Sequence, residues 1–387
     1  MSTIVPPANV ASLFEPLKLG PYIARNRIFM SALTRSRSVP TNVPNDLNVE
    51  YYRQRAKSSG MIVTEGALIA QQGSEWPNAP GIWSKEQVEA WKKVTKAVHE
   101  EGGLIYIQLW HLGRASHPDA PEQIASGQPV YGPSAIAARG GKFRHIPGQP
   151  GYVTPTELDD PSIIIAQYKQ AAINAMEAGF DGAELHGANG YLPHQFLDST
   201  SNLRNDAWGG SVEKRARFTL EALQAIIDVW GKERVGIKLT PGGGYNDMGM
   251  PLEETKETFG YLVQELDKIG ASYICLARYW DVGDPMIDGK RRGTPHDVIA
   301  VYGPLIKNSL VFSNTQFTPE EAAKYVSEGK SGAIFFGIPW ISHPDLAKRI
   351  QYGKPLDNVP DMKTFYGHST DIEELKKGYT DYPEAVY

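Results

Sequence analysis

Three polar residues of types that act on carbonyl groups, His186, Asn189 and Tyr191, lie close together in the sequence. Histidine and asparagine side chains can donate hydrogen bonds to a carbonyl or anionic oxygen. Tyrosine has an ordinary pKa of about 10, so it stays protonated at neutral pH and can act as a proton donor. Taken alone, this group indicates an enzyme that acts on a carbonyl-like group.

The segment that positions these residues is a short apolar run, residues 180–185, which ends immediately before His186. The run is too short for a helix and is flanked by glycines, so it predicts a buried strand. The polar residues then lie where the strand passes into a loop. In an α/β barrel, this end of each strand is where active sites are built.

Seven further apolar runs predict strands, at residues 26–34, 61–66, 104–110, 235–240, 272–277, 310–313 and 332–337. Helical patterns lie between them at residues 51–56, 163–178, 212–230 and 252–269, and a final helix is expected at 345–350. Two more helices have clear starts, at Ser84 with Gln87 and at Thr318 with Pro319. This alternation predicts an α/β fold, a (β/α)8 TIM barrel. A doubly wound open sheet is the alternative, and the lack of a Gly-x-Gly-x-x-Gly motif after an early strand argues against it.

Residues 115–155 interrupt the alternation between the third and fourth predicted strands. They are rich in proline, glycine and serine and too long for an ordinary connection, so we predict a lid that leaves the barrel. The sequence shows no internal repeat and no convincing linker. We therefore expect residues 1–387 to form a single barrel domain.

Other predicted strand ends would meet at the same mouth of the barrel, and they carry Thr34, Gly66, Gln108 with Trp110, Lys238 and Gly337. Threonine, glutamine and lysine at such a mouth could hydrogen-bond a planar heterocycle. Glycine would let a flat ring approach the backbone closely.

The composition restricts the partners of the chain. The net charge is −5 and the isoelectric point is about 6.0, without a long basic stretch, so we expect no nucleic-acid partner. No apolar run approaches the roughly 18 residues that span a bilayer, and the N-terminus lacks the pattern of a signal peptide. The one cysteine, Cys275, excludes an internal disulfide. We expect a cytoplasmic protein without a membrane partner.

Three further histidines, His111, His117 and His194, raise the question of a metal site. Their spacing matches no ligand set, and no cysteine or carboxylate completes one. We expect surface or structural roles for them and no bound metal.

Longer motifs extend the analysis to nearly the whole chain. They are LFEPLKLG (13–20), NRIFMSALTRSR (26–37), TEGA (64–67), PGIWS (80–84), QLWHLGR (108–114), AGFDGAELHGANGYL (178–192), WGGSVEKRARF (208–218), RVGIKLTP (234–241), ISHPDLAKR (341–349) and GYTDYP (378–383). In the order and spacing of these motifs, the chain resembles the Old Yellow Enzyme family of FMN-dependent ene-reductases, which act as NADPH dehydrogenases.

The resemblance implies roles for the matching residues. Flavin contacts are implied for Thr34 near the reactive edge, Gly66 and Gln108 on the pyrimidine side, Lys238 beside the N1–C2 carbonyl, and Gly337 and Phe365. His186 and Asn189 match the pair that binds the substrate carbonyl oxygen, and Tyr191 matches the acid that protonates the substrate carbon. Pocket walls or ring contacts are implied for Trp76, Trp110 and Tyr366.

The resemblance also implies a ping-pong reaction with bound FMN and NADPH. The nicotinamide first reduces the flavin and leaves. An α,β-unsaturated aldehyde or ketone, or a similarly activated alkene, then accepts hydride from flavin N5 at its β-carbon, while Tyr191 protonates the α-carbon from the opposite side. One pocket that serves both small molecules in turn needs no separate dinucleotide-binding motif.

Three positions depart from the family pattern. Lys238 stands where the family commonly has arginine. Lysine keeps the positive charge but lacks the planar fork of N–H donors that arginine has. Ile338 follows Gly337 where many members have an arginine that helps to bind the FMN phosphate, and residues 313–316 replace a glycine-rich turn. Our hypothesis is that FMN binds with fewer charge-assisted contacts, or that a cation from elsewhere in the chain substitutes.

Several alternatives remain open at the level of sequence. Lys238 could serve a Schiff-base lyase on the same barrel, or pair with Glu184 and contact no ligand. The chain could also bind flavin without turnover. His186 and Gln108 could have structural roles, as could Thr34 and the tryptophans. The basic run 288–293 could lie on the surface or meet a nicotinamide phosphate, and we favour the surface.

Overall fold

The chain is built around a closed barrel of eight parallel strands. The computed structural model describes residues 5–76, 78–140 and 151–387. The barrel strands are β1 Ile28–Met30, β2 Ile62–Leu68, β3 Ile105–Trp110, β4 Gly182–His186, β5 Val235–Leu239, β6 Tyr273–Ala277, β7 Leu310–Asn314 and β8 Ala333–Phe336. Each predicted apolar run overlaps one of them, so the (β/α)8 fold is confirmed.

Closure of the barrel excludes the open-sheet alternative. Strand β8 pairs in parallel with β1, so that Phe335 lies opposite Phe29, and every other strand pairs with its neighbours in the chain. The first predicted strand was too long. Beyond Ser31 the chain leaves the ladder, because the backbone N–H groups of Arg35 and Ser36 donate to the Glu65 carboxylate at 2.9 and 3.0 Å.

In the described part of the chain, eight helices follow the strands in turn. They are α1 Asp46–Ala56, α2 Lys85–Glu100, α3 Ser162–Glu177, α4 Val212–Trp230, α5 Leu252–Ile269, α6 Val298–Tyr302, α7 Pro319–Ser327 and α8 Leu346–Gln351. The predicted starts of α2 and α7 are confirmed, since the side chains of Ser84 and Thr318 accept hydrogen bonds from the backbone three residues on. Helix α1 begins earlier than predicted because Asn45 caps it.

Shorter elements lie in the loops that connect the barrel strands and the eight helices, and at the two ends of the chain. Helical segments lie at Pro121–Ser126, Leu192–Leu197, Pro339–Ser342 and Ile372–Lys376, with 3-10 turns at Ala8–Phe14, Gly113–Ala115, Lys232–Arg234, Asp281–Gly283, Gly303–Leu305 and Met362–Thr364. Paired short strands are Leu17–Leu19 with Tyr22–Ala24, Tyr131–Gly132 with Thr156–Glu157, and Met286–Ile287 with Lys290–Arg291. The sequence predicted that α8 would be the last helix. That prediction was wrong, because the helical segment Ile372–Lys376 follows it.

Within the described ranges, no helix has both the length and the apolar character that a membrane crossing requires.

The excursion between β3 and β4 has its own small structure. The segment Pro121–Ser126 forms a helical turn, and the pair Tyr131–Gly132 and Thr156–Glu157 ties its two arms together. Residues 141–150 of the predicted lid lie outside the described residues.

The lower part of the barrel is filled by aromatic side chains. Phe29, Tyr106, Tyr273, Phe312 and Phe335 point into the interior and are almost fully buried. The rings of Phe29 and Phe312 meet edge to face at a centroid distance of 5.3 Å, a favoured aromatic geometry. This layer fills the barrel interior beneath the carboxyl ends of the strands.

Candidate active site

A cavity of about 670 Å³ opens at the carboxyl ends of the barrel strands. The predicted site residues that line it are Thr34, Trp76, Gln108, Trp110, His186, Asn189, Tyr191, Lys238, Gly337, Phe365 and Tyr366. They come from seven regions of the sequence that are far apart along the chain. The structure therefore brings together eleven of the twelve predicted site residues.

The exception is Gly66, which lies beneath the indole of Trp110 and not at the cavity wall. A Cβ atom at this position would stand 2.7 Å from the Trp110 ring. Glycine is needed here because the tryptophan packs directly on the β2 backbone. Gly66 thus shapes the cavity wall through Trp110. It does not itself line the cavity, where a direct contact with the flavin ring was expected.

His186 ends β4 and turns its ring toward the cavity. It is 6% exposed, and its Nδ1 atom has no hydrogen-bond partner among the described residues. Burial, aided by the positive charge of Lys238, holds the pKa of His186 well below its usual value. The imidazole is therefore neutral at pH 7, with one nitrogen able to donate and the other to accept.

Asn189 and Tyr191 follow in the loop after β4. Asn189 has a left-handed backbone with φ of 57°, a conformation that asparagine tolerates better than most residues. Its backbone N–H donates to Thr240 Oγ1 at 2.8 Å. The Tyr191 ring packs edge-on against His186 and Trp110, at centroid distances of 4.9 and 5.0 Å. These contacts hold the three predicted catalytic side chains on one wall.

A second wall is polar and formed by buried groups from β3, β4 and β5. The Gln108 amide nitrogen donates to Glu184 Oε1 at 2.7 Å, and the Tyr273 hydroxyl donates to Glu184 Oε2 at 2.8 Å. Burial raises the pKa of Glu184, while the Lys238 charge and these two donors oppose the rise. The partner of the Gln108 amide nitrogen is thus a side chain of the barrel interior.

Lys238 supplies the positive charge of this wall. Its Nζ donates to Ser31 Oγ at 2.9 Å, and the ammonium group is almost buried at the cavity lining. No ion pair links Lys238 to Glu184 in the described part of the chain, so the direct pairing weighed from the sequence is absent there.

The ends of β7 and β8 form a third wall, where the sequence departs from the family pattern. Ile338 is 41% exposed at the rim. Thr315 and Gln316 adopt left-handed backbones with φ of 85° and 57°. Glycine is the usual residue in such a turn, but this chain forms it with a threonine and a glutamine.

A basic residue, Arg278 at the end of β6, lies beside this turn at the cavity lining. Its guanidinium donates to the carbonyl oxygens of Thr315 and Gln316 at 2.9 and 2.6 Å and to Glu321 at 2.6 Å. These bonds stabilise the unusual turn. They also bring to the cavity a cation that the sequence analysis did not identify.

Aromatic residues of the C-terminal segment close the fourth side. Tyr366 packs against Trp76 at a centroid distance of 4.9 Å, and Phe365 lies next to it. Two buried arginines hold this segment: Arg35 Nε donates to the Phe365 carbonyl at 2.8 Å, and Arg37 donates to the Thr364 carbonyl at 2.6 Å.

The three additional histidines are all buried, so the expectation of a surface role was wrong and a structural role is what the contacts show. His111 Nε2 lies 2.7 Å from Gln72 Oε1, and His194 Nδ1 accepts from the Gly190 N–H at 3.1 Å. Burial lowers the pKa of His111 to about 3 and that of His194 to about 4. No cluster of potential metal ligands occurs among residues 5–76, 78–140 and 151–387.

The loop after β6 contributes to the mouth of the cavity. Trp280, Val282 and Gly283 line the cavity, while Lys290 and Arg291 lie in the exposed hairpin beyond it. Arg292 instead donates to Asp247 at 2.7 Å. The basic run therefore lies outside the cavity wall.

Sequence reasoning missed other lining residues as well. Thr240 ends a predicted strand and could have been identified by that position alone, whereas Ser31 lies inside the first predicted strand, which was drawn too long. Tyr245 and Trp280 lie in long loops, where no pattern of spacing indicates a direction for the side chain.

Comparisons with known proteins agree with this geometry. A model of the NADH:flavin oxidoreductase / NADH oxidase family matches residues 12–357. The probable flavin mononucleotide-dependent alkene reductase of Leishmania infantum is 36% identical over 381 residues, which is 97% of this chain and 98% of that protein. Among solved structures, morphinone reductase superposes with a TM-score of 0.85 at 37% identity, over 96% of both chains. The old yellow enzyme from Trypanosoma cruzi superposes with a TM-score of 0.85 at 31% identity, over 97% of this chain and 100% of that one.

Proposed function

The chain belongs to the NADH:flavin oxidoreductase / NADH oxidase family, with the Old Yellow Enzymes, and we propose that it is an FMN-dependent ene-reductase. Its substrates are α,β-unsaturated aldehydes and ketones or similarly activated alkenes, and its hydride donor is NADPH. The observation that carries this proposal is the placement of His186, Asn189 and Tyr191 on one wall of the cavity that also holds Gln108 and Lys238.

The polar groups of the cavity fit FMN. The Gln108 amide nitrogen is engaged by Glu184, which leaves the carbonyl oxygen for an N–H group of a planar heterocycle. The Lys238 ammonium suits the electron-rich carbonyl side of such a ring. Thr34, Gly337 and Phe365 would complete the ring and chain contacts, and Gly66 would act through Trp110. When bound, FMN supplies reversible hydride chemistry.

The phosphate of FMN would lie at the ends of β7 and β8. Backbone N–H groups in a left-handed turn can converge on an anion, and Thr315 and Gln316 form such a turn. Arg278 is the basic residue that lines the cavity beside this turn, and Glu321 shares its guanidinium. This arrangement supports the version of our hypothesis in which a cation from elsewhere in the chain substitutes for the arginine missing at position 338.

His186 and Asn189 would bind the carbonyl oxygen of the substrate. Because the depressed pKa of His186 keeps the ring neutral at pH 7, it acts as a hydrogen-bond donor and not as an acid. Two donors in a largely buried pocket stabilise negative charge that develops on the oxygen, and such groups can each contribute about 3 kcal/mol to a barrier. They draw electron density from the β-carbon and so favour hydride addition there.

Tyr191 would protonate the α-carbon. Its ring is held between Trp110 and His186, so the hydroxyl belongs to the same wall as the carbonyl-binding pair. A positioned acid of this kind contributes about 10²- to 10⁴-fold to a rate. Trp76, Trp110 and Tyr366 would exclude water and select the shape of the alkene.

NADPH would use the same cavity before the alkene does. The protein is proposed to work in the cytoplasm, a location that fits its unpaired and buried Cys275.

The test is an anaerobic titration followed by visible absorption. We expect the FMN-loaded protein to lose its flavin absorption when one equivalent of NADPH is added and to regain it when cyclohex-2-enone follows. A parallel titration with NADH measures the preference between the nicotinamides. A loaded protein that neither nicotinamide bleaches, or a bleached protein that only oxygen restores, would contradict the proposal.

A further inference from the structure

The backbone of Asn189 is held from two directions by residues beyond β5. Its N–H donates to Thr240 Oγ1 at 2.8 Å, and its carbonyl oxygen accepts from Asn246 Nδ2 at 2.8 Å. Both Asn189 and Asn246 have left-handed backbones, with φ of 57° and 58°. The direction in which the Asn189 side chain points therefore depends on a residue 57 positions away in the sequence.

Asn246 uses both ends of its amide. While Nδ2 donates to Asn189, Oδ1 accepts from the Tyr152 hydroxyl at 2.6 Å. Asn246 is 8% exposed and does not line the cavity. An amide side chain can accept from one neighbour through its oxygen and donate to the other through its nitrogen at neutral pH. The residue thus joins the loop that carries Asn189 to the arm of the excursion that carries Tyr152.

The neighbouring Asp247 fixes the loop that carries Asn246. Its carboxylate accepts from the backbone N–H of Arg139 at 2.8 Å, from the Arg139 guanidinium at 3.1 Å and from Arg292 Nε at 2.7 Å. The Asp247 carbonyl accepts from Arg114 at 3.1 Å. Asp247 is 5% exposed, and hydrogen bonds to charged groups are stronger than neutral ones when water is excluded. Asn246 therefore has little freedom to move.

From these contacts we infer that Asn246 is a positioning residue for Asn189 and that it makes carbonyl binding depend on the excursion after β3. The inference rests on the proposed role of Asn189 in binding the substrate carbonyl. Loss of the Asn246 donor leaves the Asn189 carbonyl oxygen without that bond and lets the loop shift. Because catalytic hydrogen bonds need accurate placement, a shift of about 1 Å costs roughly 100-fold in rate.

Two substitutions separate the two contacts of Asn246. Asn246→Gly removes the side chain at a backbone conformation that glycine adopts freely. Asn246→Asp keeps an acceptor for the Tyr152 hydroxyl and removes the donor to Asn189. Asn26→Gly is the matched control, because Asn26 is also buried, at 5% exposure, and donates to a backbone carbonyl, that of Ser58 at 2.8 Å, at the opposite end of the barrel.

The readout is the affinity of FMN-loaded protein for cyclohexanone, which carries the carbonyl group and cannot be reduced at a C=C bond. Binding is followed by the change in flavin absorption, and the FMN content of each variant is measured alongside. We expect Asn246→Gly and Asn246→Asp each to weaken the ligand about 10-fold, Tyr152→Phe to weaken it about threefold, and Asn26→Gly to leave it unchanged. In an Asn189→Ala background, Asn246→Gly should change affinity less than twofold, since coupled residues are not additive.

The outcomes distinguish this inference from the proposed function. If Asn189→Ala itself leaves cyclohexanone binding unchanged, the role proposed for Asn189 is wrong and the inference is overturned with it. If Asn189→Ala weakens binding while Asn246→Asp does not, the positioning role alone is overturned. Losses that add in the double variant, or an equal loss in Asn26→Gly, also overturn it, because they indicate a general effect on folding.

Discussion

The amide nitrogen of Gln108 lies 2.7 Å from Oε1 of Glu184, so Gln108 presents its carbonyl oxygen to the cavity. Glu184 is 1% exposed and is held in turn by the Tyr273 hydroxyl at 2.8 Å. A glutamine without this partner could rotate its amide and offer a donor instead of an acceptor to the cofactor ring.

We expect Glu184→Leu to weaken FMN binding at least 10-fold, because it frees the Gln108 amide and leaves the Tyr273 hydroxyl without its acceptor. Glu184→Gln should stay within about threefold of wild type, since its side-chain oxygen can still accept from Gln108. The dissociation constant is measured by quenching of FMN fluorescence on addition of apoprotein. Equal affinities for wild type and Glu184→Leu would show that Glu184 does not orient the flavin contact.

Removal of the Tyr191 hydroxyl should separate the two half-reactions. Tyr191→Phe loses the proposed proton donor, so reoxidation by cyclohex-2-enone should slow by about 10²- to 10⁴-fold, while reduction by NADPH should change less than threefold. Stopped-flow absorption measures both rates. Tyr168→Phe, on helix α3 and fully buried away from the cavity, is the control. A Tyr191→Phe enzyme that reduces the enone at the wild-type rate would assign the proton to another group.

Substitution of Lys238 distinguishes the flavin mechanism from a Schiff-base lyase. Lys238→Arg keeps the positive charge, so a flavin enzyme should retain measurable enone reduction, whereas a Schiff-base enzyme requires the amine. Lys238→Met should weaken FMN binding about 10-fold through loss of the charge beside Ser31. The measurements are enone turnover and mass spectrometry after borohydride treatment with substrate. A borohydride-trapped adduct on Lys238, lost in both variants together with all activity, would favour the lyase.

A fourth substitution, at Ile338, concerns the phosphate end of the cavity. Ile338 is 41% exposed at the rim, so Ile338→Arg costs little packing and adds a charge next to Gly337. We expect FMN to bind about 10-fold more tightly at low salt, with the gain shrinking as salt screens the new charge. Ile338→Gln has similar length and no charge, and it should show no such gain. An affinity of Ile338→Arg equal to that of Ile338→Gln would mean that the phosphate does not lie at this end.

The strands of this barrel could be predicted because parallel strands buried on both faces are apolar runs, and β4 and β5 show this pattern clearly. The ends of such runs indicated His186 and Lys238 directly. Gly66 shows the limit of that reasoning. It ends the predicted run but lies inside β2, where it makes room for the Trp110 side chain.

Contacts between distant loops could not be predicted in this way. Asn246 binds Asn189 through a loop without regular periodicity, and Arg278 binds the turn at Thr315 from another strand end. Their side-chain directions depend on the packing of long connections, which leaves no repeating pattern in the sequence. The sequence therefore supported only the hypothesis that a cation from elsewhere in the chain lies at the phosphate end, and it did not identify Arg278 as that cation.

The most direct test of the proposed reaction is the identity of its product. FMN-loaded protein is incubated without oxygen with NADPH and cyclohex-2-enone, and the mixture is analysed by gas chromatography with mass spectrometry. We predict one cyclohexanone formed for each NADPH consumed, with the carbonyl group intact. Formation of cyclohex-2-enol, or consumption of NADPH without any reduced product, would contradict an ene-reductase.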